Sequence, residues 1–348
     1  MSLYASQLRM ELIARNRLHA HGRLHAESYG AAPVIVYAPE EGRHGNFFDA
    51  AYAAITARPD WAKRLDKIHA QERSLPKTER KWRELDSSMS SDALLMNVFC
   101  MPGVPESMAV RRMLGVDGEE APQFGWKART PLANGRFDRT EVDMRWGLLL
   151  VEAKLTESDF QTCRPEMVEA YRDFDEVFDR ELLPRTPIAI GRRKQSIEFP
   201  EDYSQEEIRV AAEEWTPHVW EVPPQTIDGY ASYQLIRNVL AAHATGTSFC
   251  VLYDERRPDL REAWFEVMAA VKNAALRVRL KALTWQELAA ALPEALQEFL
   301  ANKYGIGSPR RPGPLRGSLP GALIEPVGAL GRDAQSGARK NKTLSWRT

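Results

Sequence analysis

The chain predicts an α/β fold: a central mixed sheet flanked by helices, with a helical extension before it and a flexible tail after it. Three observations carry this expectation. Apolar residues recur at helical spacing up to about residue 100, the period drops to two between 123 and 155, and helix and strand then alternate to about residue 304. With 44% apolar and 27% charged residues over 348 positions, usage is ordinary for a globular protein, and the chain is long enough to bury a core without staples.

Residues 1–29 read as a polar helix or arm. Residues 46–70, with Phe47, Ala51, Tyr52, Ile55, Trp61 and Leu65, read as amphipathic helices broken near Pro59. A charged stretch over 71–86 leads to Ser90-Ser91-Asp92, a cap signal before the apolar run Ala93 to Cys100, and Pro102-Gly103 closes that helix. The first strand falls at 123–129. In the segment 137–146, Val142, Met144 and Trp146 share one side, with Glu141, Asp143 and Arg145 on the other. Trp146-Gly147 is read as the turn, and Leu148 to Leu155 as a more buried strand. A helix is expected at about 164–183, stopped by Pro184, then a short apolar piece at 187–190 and a polar, Pro-containing excursion to 226. After it come a helix at 227–244, a strand at 248–253, a helix near 259–273 and a strand at 276–282. The box Thr284-x-x-Glu287 caps a final helix to about 304. The resulting division is an extension over 1–80, a main domain over 81–305 and a disordered basic Pro/Gly-rich tail over 306–348, where five Pro and six Gly fall within 308–348.

Composition excludes several classes. The three cysteines, Cys100, Cys163 and Cys250, are far apart and unpaired in pattern, which points to a reduced, cytoplasmic setting and packing roles. No apolar run is long enough to span a bilayer, and charges at Arg9, Glu11, Arg15 and Arg17 break any signal-peptide core, so no membrane partner is expected. Net charge is −1, against a general polyanion binder, although 308–348 alone carries eight basic and two acidic residues. The pairs Arg111-Arg112 and Arg256-Arg257 and the run Arg192-Arg193-Lys194 read as solvated surface, with phosphate contact as the sharper option. His19, His21 and His25 have no ligand spacing for zinc, and no phosphate loop, GxSxG elbow or HExxH pair occurs.

The chemistry concentrates in Thr140 to Lys154. Alternation places Glu152 and Lys154 on one strand face, and a turn at Trp146-Gly147 pairs Asp143 with Leu150 and Glu141 with Glu152. Asp143 then lies diagonal to Glu152 at roughly 7 Å, within reach of one shared cation. Charged groups on a sheet of Leu, Val and Met are costly without partners, and a divalent ion would compensate them. Mg2+ prefers oxygen ligands and often recruits only one or two carboxylates, to which the carbonyl of Ala153 could add. Lys154 would stand beside the activated water. A structural ion pair between Glu152 and Lys154 remains open on these residues. Glu79-Arg-Lys81 repeats the acidic-x-Lys spacing without strand context and reads as surface.

Asp143, followed nine residues later by Glu152-x-Lys154 on a hairpin and then by helix and strand, resembles the PD-(D/E)XK nuclease superfamily. More narrowly, the chain is similar to its restriction-endonuclease-like group of poorly characterised bacterial proteins. Ser90 to Asn97, Thr140 to Asp143, Glu152-Ala153-Lys154 with Thr156-Glu157-Ser158, and Tyr233 to Asn238 carry the likeness over about 80 to 255. The resemblance implies a restriction-endonuclease-like core and a nuclease using Mg2+ or Mn2+, hydrolysing DNA phosphodiesters by attack of an activated water. Asp143 and Glu152 would be ligands and Lys154 the base or stabiliser. Gln234 would hydrogen-bond substrate or water, with an exposed polar helix face as its other reading. Val142 stands where the superfamily often has proline, and Glu84, Asp86 and Asp92 are all open as the acid of the first helix. A catalytically silent nucleic-acid-binding module or a phage or defence assembly protein is the competing class, and a homodimer or protein partner would complete a groove.

Overall fold

The computed structural model describes residues 2–69, 74–77, 81–189 and 226–307. The basic run 192–194 and the tail from 308 onward, like the excursion after 190, lie outside the described residues.

Helix α1 (Leu3–His19) starts at the Ser2 cap and leads into an arm of two antiparallel strands, β1 (His25–Glu27) and β2 (Ile35–Tyr37). A tight pair follows, β3 (Pro39–Glu40) and β4 (Arg43–His44). Helices α2 (Asp49–Ala57) and α3 (Pro59–Ala62) are separated where Pro59 opens the second, as its fixed φ and missing N–H favour a first helical position. Ser90 caps α4 (Ser91–Phe99) by accepting from the Ala93 N–H, so the cap signal and the apolar run give the expected helix. Helix α5 (Met108–Leu114) ends on Gly115 at φ 66°.

The sheet then forms from β5 (Gln123–Lys127), β8 (Glu141–Trp146) and β9 (Leu149–Ala153), after the short pair β6 (Thr130–Pro131) and β7 (Phe137–Asp138). Its turn is Gly147-Leu148 rather than Trp146-Gly147. Gly147 adopts φ 57° and Leu148 points to solvent, so Trp146 pairs with Leu149, Arg145 with Leu150 and Met144 with Val151. The expected partners Leu148 for Arg145 and Leu150 for Asp143 are therefore replaced by a register two residues further on. Val142, Met144 and Trp146 are all buried as expected, but Val142 packs in a different layer from the other two, so the strand changes faces across Asp143.

The long helix expected at 164–183 is two single turns, α6 (Pro165–Val168) and α7 (Phe174–Val177). Its backbone is drawn instead into bridges of Tyr171 with Leu132 and Phe178 with Val271, while the apolar side chains still fill the core. Strand β10 (Arg185–Ala189) pairs with β11 (Thr226–Tyr230), so the helix expected from 227 begins later, as α8 (Tyr233–Thr245). Strand β12 (Ser248–Tyr253) has its expected bounds. Helix α9 (Pro258–Ala270) follows, then α10 (Ala274–Arg277) occupies the start of the segment expected as strand, shifting β13 to Leu280–Thr284. Thr284 and Glu287 form the capping box of α11 (Trp285–Ala289), and Pro293 separates it from α12 (Glu294–Tyr304).

The five-stranded sheet runs β13-β12-β9-β8-β5. Strand β12 is parallel to both β13 and β9, while β8 is antiparallel to β9 and β5, giving the mixed α/β architecture. One face packs Val151, Ala153, Cys250 and Leu252 under α4, α11 and α12. The other packs Leu150, Phe249 and Val251 under α8 and α9. All three cysteines are free and buried. Helix α1 closes on α12: Asn16 donates to the Lys303 carbonyl at 3.3 Å, and Lys303 Nζ donates to Asn16 Oδ1 at 2.6 Å. The described residues form one compact unit. No described helix is long and apolar enough to cross a membrane.

Candidate active site

The paired register of β8 and β9 ends at Met144–Val151, immediately before Asp143 on one strand and Glu152 on the other. At that point the Ala153 N–H donates to Asp143 Oδ2 at 2.8 Å. On the other side Asp143 faces Gly125, which adopts φ 64° between the pairs Phe124–Met144 and Trp126–Val142.

Glu152 is 2% exposed and grips two donors. Lys154 Nζ reaches one carboxylate oxygen at 2.8 Å, and Asn238 Nδ2 reaches the other at 2.8 Å. Helix α8 thus carries two site residues four apart, one turn of one face: Asn238 against Glu152, and Gln234 lining the same cavity. Gln234 Oε1 is buried with no hydrogen-bond partner among the described residues. The Lys154 backbone is pinned by its N–H to the Leu252 carbonyl at 2.8 Å and by the Trp285 indole N–H to its own carbonyl at 3.0 Å.

The electrostatics are unbalanced. Burial, then Glu152 and Asp92, raise the Asp143 carboxyl well above the usual carboxylate range, against the smaller opposing pull of Lys154 and the Ala153 N–H. Burial alone would lower the Lys154 ammonium, but Glu152, Glu157 and Asp143 outweigh it and hold it above its ordinary value. Lys154 pairs with Glu152, while the charges of Arg64 and Lys67 also act on Asp143.

Among the three acids of the first-helix region, Asp92 and Glu84 line the cavity, which has a volume of about 680 Å³. Asp86 is turned away, accepting from His44 Nε2 at 2.9 Å and from the Arg83 N–H at 2.8 Å. Asp92, in the first turn of α4, is held by Arg64 at 2.8 Å and Lys67 at 2.9 Å. Arg64 also binds Glu141, so one guanidinium from the N-terminal segment clamps α4 to β8 beside Asp143. A Cβ on Gly125 would lie 2.3 Å from Arg64 Nη1, so glycine there makes room for the clamp.

Behind Lys154 the loop 155–158 is stitched in place. Glu157 accepts from the Leu155 N–H at 2.7 Å and from the Ser91 hydroxyl. Arg257, fully buried, donates to the carbonyls of Leu155, Glu157 and Ser158 and is paired with Asp259 at 2.9 Å. The Arg256-Arg257 pair is therefore neither solvated surface nor a phosphate contact. Arg256 is bound to Asp254 at 2.6 Å and Glu11 at 2.9 Å.

A family model described as Restriction Endonuclease associating with ARP matches residues 16–305. The chain belongs to this family. The match takes in the Restriction Endonuclease associating with ARP member's whole described sheet, the arm β1–β2 and the Arg64 segment as well as the two carboxylates. No curated protein and no solved structure matches the chain. The family's printed description names a restriction endonuclease, which is a nuclease. Among the described residues of this member, no group of three or more His, Cys, Asp or Glu side chains converges as a ready-made metal cage. Asn238, Arg64 and Arg257 escape sequence reasoning as site residues. Asn238 alone left a signal, its place one turn from Gln234 on the same helix face.

Proposed function

We propose that the chain is a PD-(D/E)XK-type nuclease that hydrolyses phosphodiester bonds of DNA with Mg2+ or Mn2+. The observation that carries the reading is the charge imbalance. Asp143 and Glu152 lie near enough on neighbouring strands to act on each other's charge, Lys154 is paired with Glu152, and burial first, then Glu152 and Asp92, push the Asp143 carboxyl well up. An oxygen-rich, anionic pair suits a hard cation, and Mg2+ commonly takes only one or two protein carboxylates. The orphan Gln234 Oε1 beside them fits a donor that the protein itself does not supply.

When bound, the cation would supply Lewis acidity at the phosphate and acidify water near pH 7. The chain's own residues do the rest. Asp143, Glu152 and the Ala153 carbonyl hold the cation, and Lys154 offsets charge developing on the phosphate. Gln234 accepts from a water or a substrate hydroxyl. Asn238 keeps Glu152 in one rotamer, and Arg64 fixes α4 so that the Asp92 charge stays beside Asp143.

In this reading residues 81–305 are the nuclease-like domain, 1–80 its extension and 306–348 a basic tail, in a cytoplasmic protein. The family description adds association with ARP, which we carry over as the protein partner; a homodimer is the other assembly. A silent nucleic-acid-binding or defence-assembly role is favoured by one contact, the direct 2.8 Å pair of Lys154 with Glu152, which satisfies part of the charge without metal.

Calorimetric titration with Mg2+ and Mn2+ decides between them. The nuclease reading expects a saturable heat in the parent that is lost in Asp143→Ala, together with metal-dependent cutting of DNA. Identical binding by parent and variant would reject the site.

A further inference from the structure

We propose that the β6–β7 hairpin is an arm that grips duplex DNA beside the candidate site, with Lys127, Arg129, Arg136 and Arg139 pairing with backbone phosphates. The inference rests on the nuclease reading above for the identity of the polymer; its binding test does not need the chemistry.

The need for such an element comes from the site itself. Glu84, Asp92, Asp143, Glu152, Glu157 and Asp159 all line the cavity, and the chain as a whole carries a net charge of −1. Proteins hold DNA largely through basic side chains on phosphates, which carboxylates repel. The grip therefore has to come from outside the cavity, close enough to keep one phosphate over it.

The hairpin springs from the right end of the sheet and is fixed there. Strand β8 opens at Glu141 and reaches Asp143 two residues later, so the chain leaving β7 enters the sheet at its carboxylate end. Arg139 stands four residues before Asp143, no more than about 13 Å of chain, which is about four base-pair steps along a duplex. Lys127, at the end of β5, pairs with Glu141. Arg237 of α8, three residues from Gln234, donates to the Glu141 carbonyl at 3.1 Å. Within the hairpin Thr130 pairs with Asp138 and Pro131 with Phe137, and the Leu132 N–H donates to the Arg136 carbonyl at 2.8 Å. One side is fastened to the body: the Ala133 N–H donates to the Ala170 carbonyl at 2.9 Å, and the Arg172 N–H to the Pro131 carbonyl at 3.1 Å.

The rest of its surface fits DNA. Residues 127–139 hold four basic side chains and one acid, Asp138, which is taken up internally by the Tyr171 hydroxyl at 2.6 Å and the Thr140 N–H at 2.9 Å. Lys127, Arg129, Arg136 and Arg139 are all exposed, and none forms an ion pair among the described residues. The Arg129 guanidinium lies 4.6 Å from the centroid of the exposed Phe137 ring, which props it outward with its N–H edge open to a phosphate. At the tip nothing lies within 4 Å of where a Cβ on Gly135 would stand, so the end of the hairpin projects into open space. A two-stranded ribbon is one of the elements that the major groove of B-DNA admits, and the phosphates flanking the groove meet such a basic rim.

The test measures binding and cutting separately. Full-length protein in EDTA is titrated into a fluorescein-labelled DNA duplex at several salt concentrations from about 50 to 200 mM, and log K is plotted against log salt. We expect Arg129→Gln, Arg136→Gln and Arg139→Gln each to flatten the slope by about 0.9, and the three together by about 2.7. Arg112→Gln is the control, an exposed arginine of α5 whose neighbour Arg111 lies over Trp146 at the far end of β8; its slope should match the parent's. All variants should melt with the parent, because the side chains replaced are exposed. A triple variant with the parent's slope overturns the proposal, as does equal flattening by Arg112→Gln or a parent that binds no duplex. A parent that binds through the hairpin yet cuts nothing in Mg2+ or Mn2+ upholds this inference and rejects the nuclease reading. Cutting by the parent with a slope that the triple variant leaves unmoved does the reverse.

Discussion

Replacing Lys154 by methionine separates a metal site from a buried ion pair, because each makes a different demand on the same charge. Lys154 is 4% exposed with its Nζ 2.8 Å from Glu152. Methionine keeps an unbranched apolar stem, so volume changes little, while the ammonium that lies 5.6 Å from the Phe160 ring centroid is removed. What is lost is the ammonium paired with Glu152. Leaving a buried partner unpaired costs about 3–5 kcal/mol, and the lower end applies because Asn238 still donates to Glu152. At about 2–4 °C per kcal/mol, the variant without metal should melt about 6–12 °C below the parent. The deficit depends on pH with a definite sign. The Asp143 carboxyl sits above its ordinary value in the folded protein, so its charge costs stability as pH rises through that value. Removing Lys154 enlarges the cost, and the gap between variant and parent should narrow on acidification. Added Mg2+ at a hundredfold of its Kd contributes about 2.7 kcal/mol to whichever protein binds it. Because the cation replaces the missing charge, its stabilisation should be larger for Lys154→Met than for the parent. The assay is a set of thermal melts at two pH values with and without Mg2+, alongside cutting of DNA, which the variant should lose. A variant melting with the parent in the absence of metal, or an equal Mg2+ response in both, would refute the reasoning.

Glu152→Gln should abolish metal-dependent cutting in a plasmid assay while the circular dichroism spectrum stays unchanged, since the amide fills the same space without the charge that holds a cation. Gly125→Ala should lower stability by about 1–3 kcal/mol in urea unfolding, from a left-handed φ of 64° and a Cβ placed 2.3 Å from Arg64 Nη1. Arg257→Met should cost about 3–5 kcal/mol in the same experiment, by stranding the Asp259 carboxylate and three loop carbonyls that the guanidinium now satisfies.

Local chemistry made much of the fold legible in advance. The Ser90 cap, the Thr284–Glu287 box, the Pro59 break and the β-branched and aromatic run of β12 act within a few residues, and each element follows from them. What failed depends on distant partners. The register of β8 and β9 turns on whether Trp146 or Leu148 enters the turn, and burial of the Trp146 indole against Phe99 settles that. The apolar spacing of 164–183 looked helical because those side chains do face one core, yet bridges to Leu132 and Val271 hold the backbone. The candidate site divides the same way. Asp143, Glu152, Lys154 and Gln234 line one cavity, placed there by strand and helix periodicity. Arg64 reaches Asp92 across 28 residues of chain with no local pattern to announce it, whereas Asn238, one turn from Gln234, meets Glu152 across 86.

The clasp between α1 and α12 bears on how the protein comes into being. Asn16 and Lys303 are separated by 287 residues, so α1 must wait until α12 has been made. At about 5–20 residues per second that interval is about 15–60 s, far longer than helix formation or collapse. Throughout it Leu8, Leu12 and Ile13, buried in the finished molecule, have lost their eventual cover. The nascent chain therefore carries the apolar face of α1 uncovered while the intervening residues are made, a binding opportunity for a chaperone and a hazard on a crowded polysome. Folding that must join both ends of the chain also raises its contact order, which slows the final closure after release.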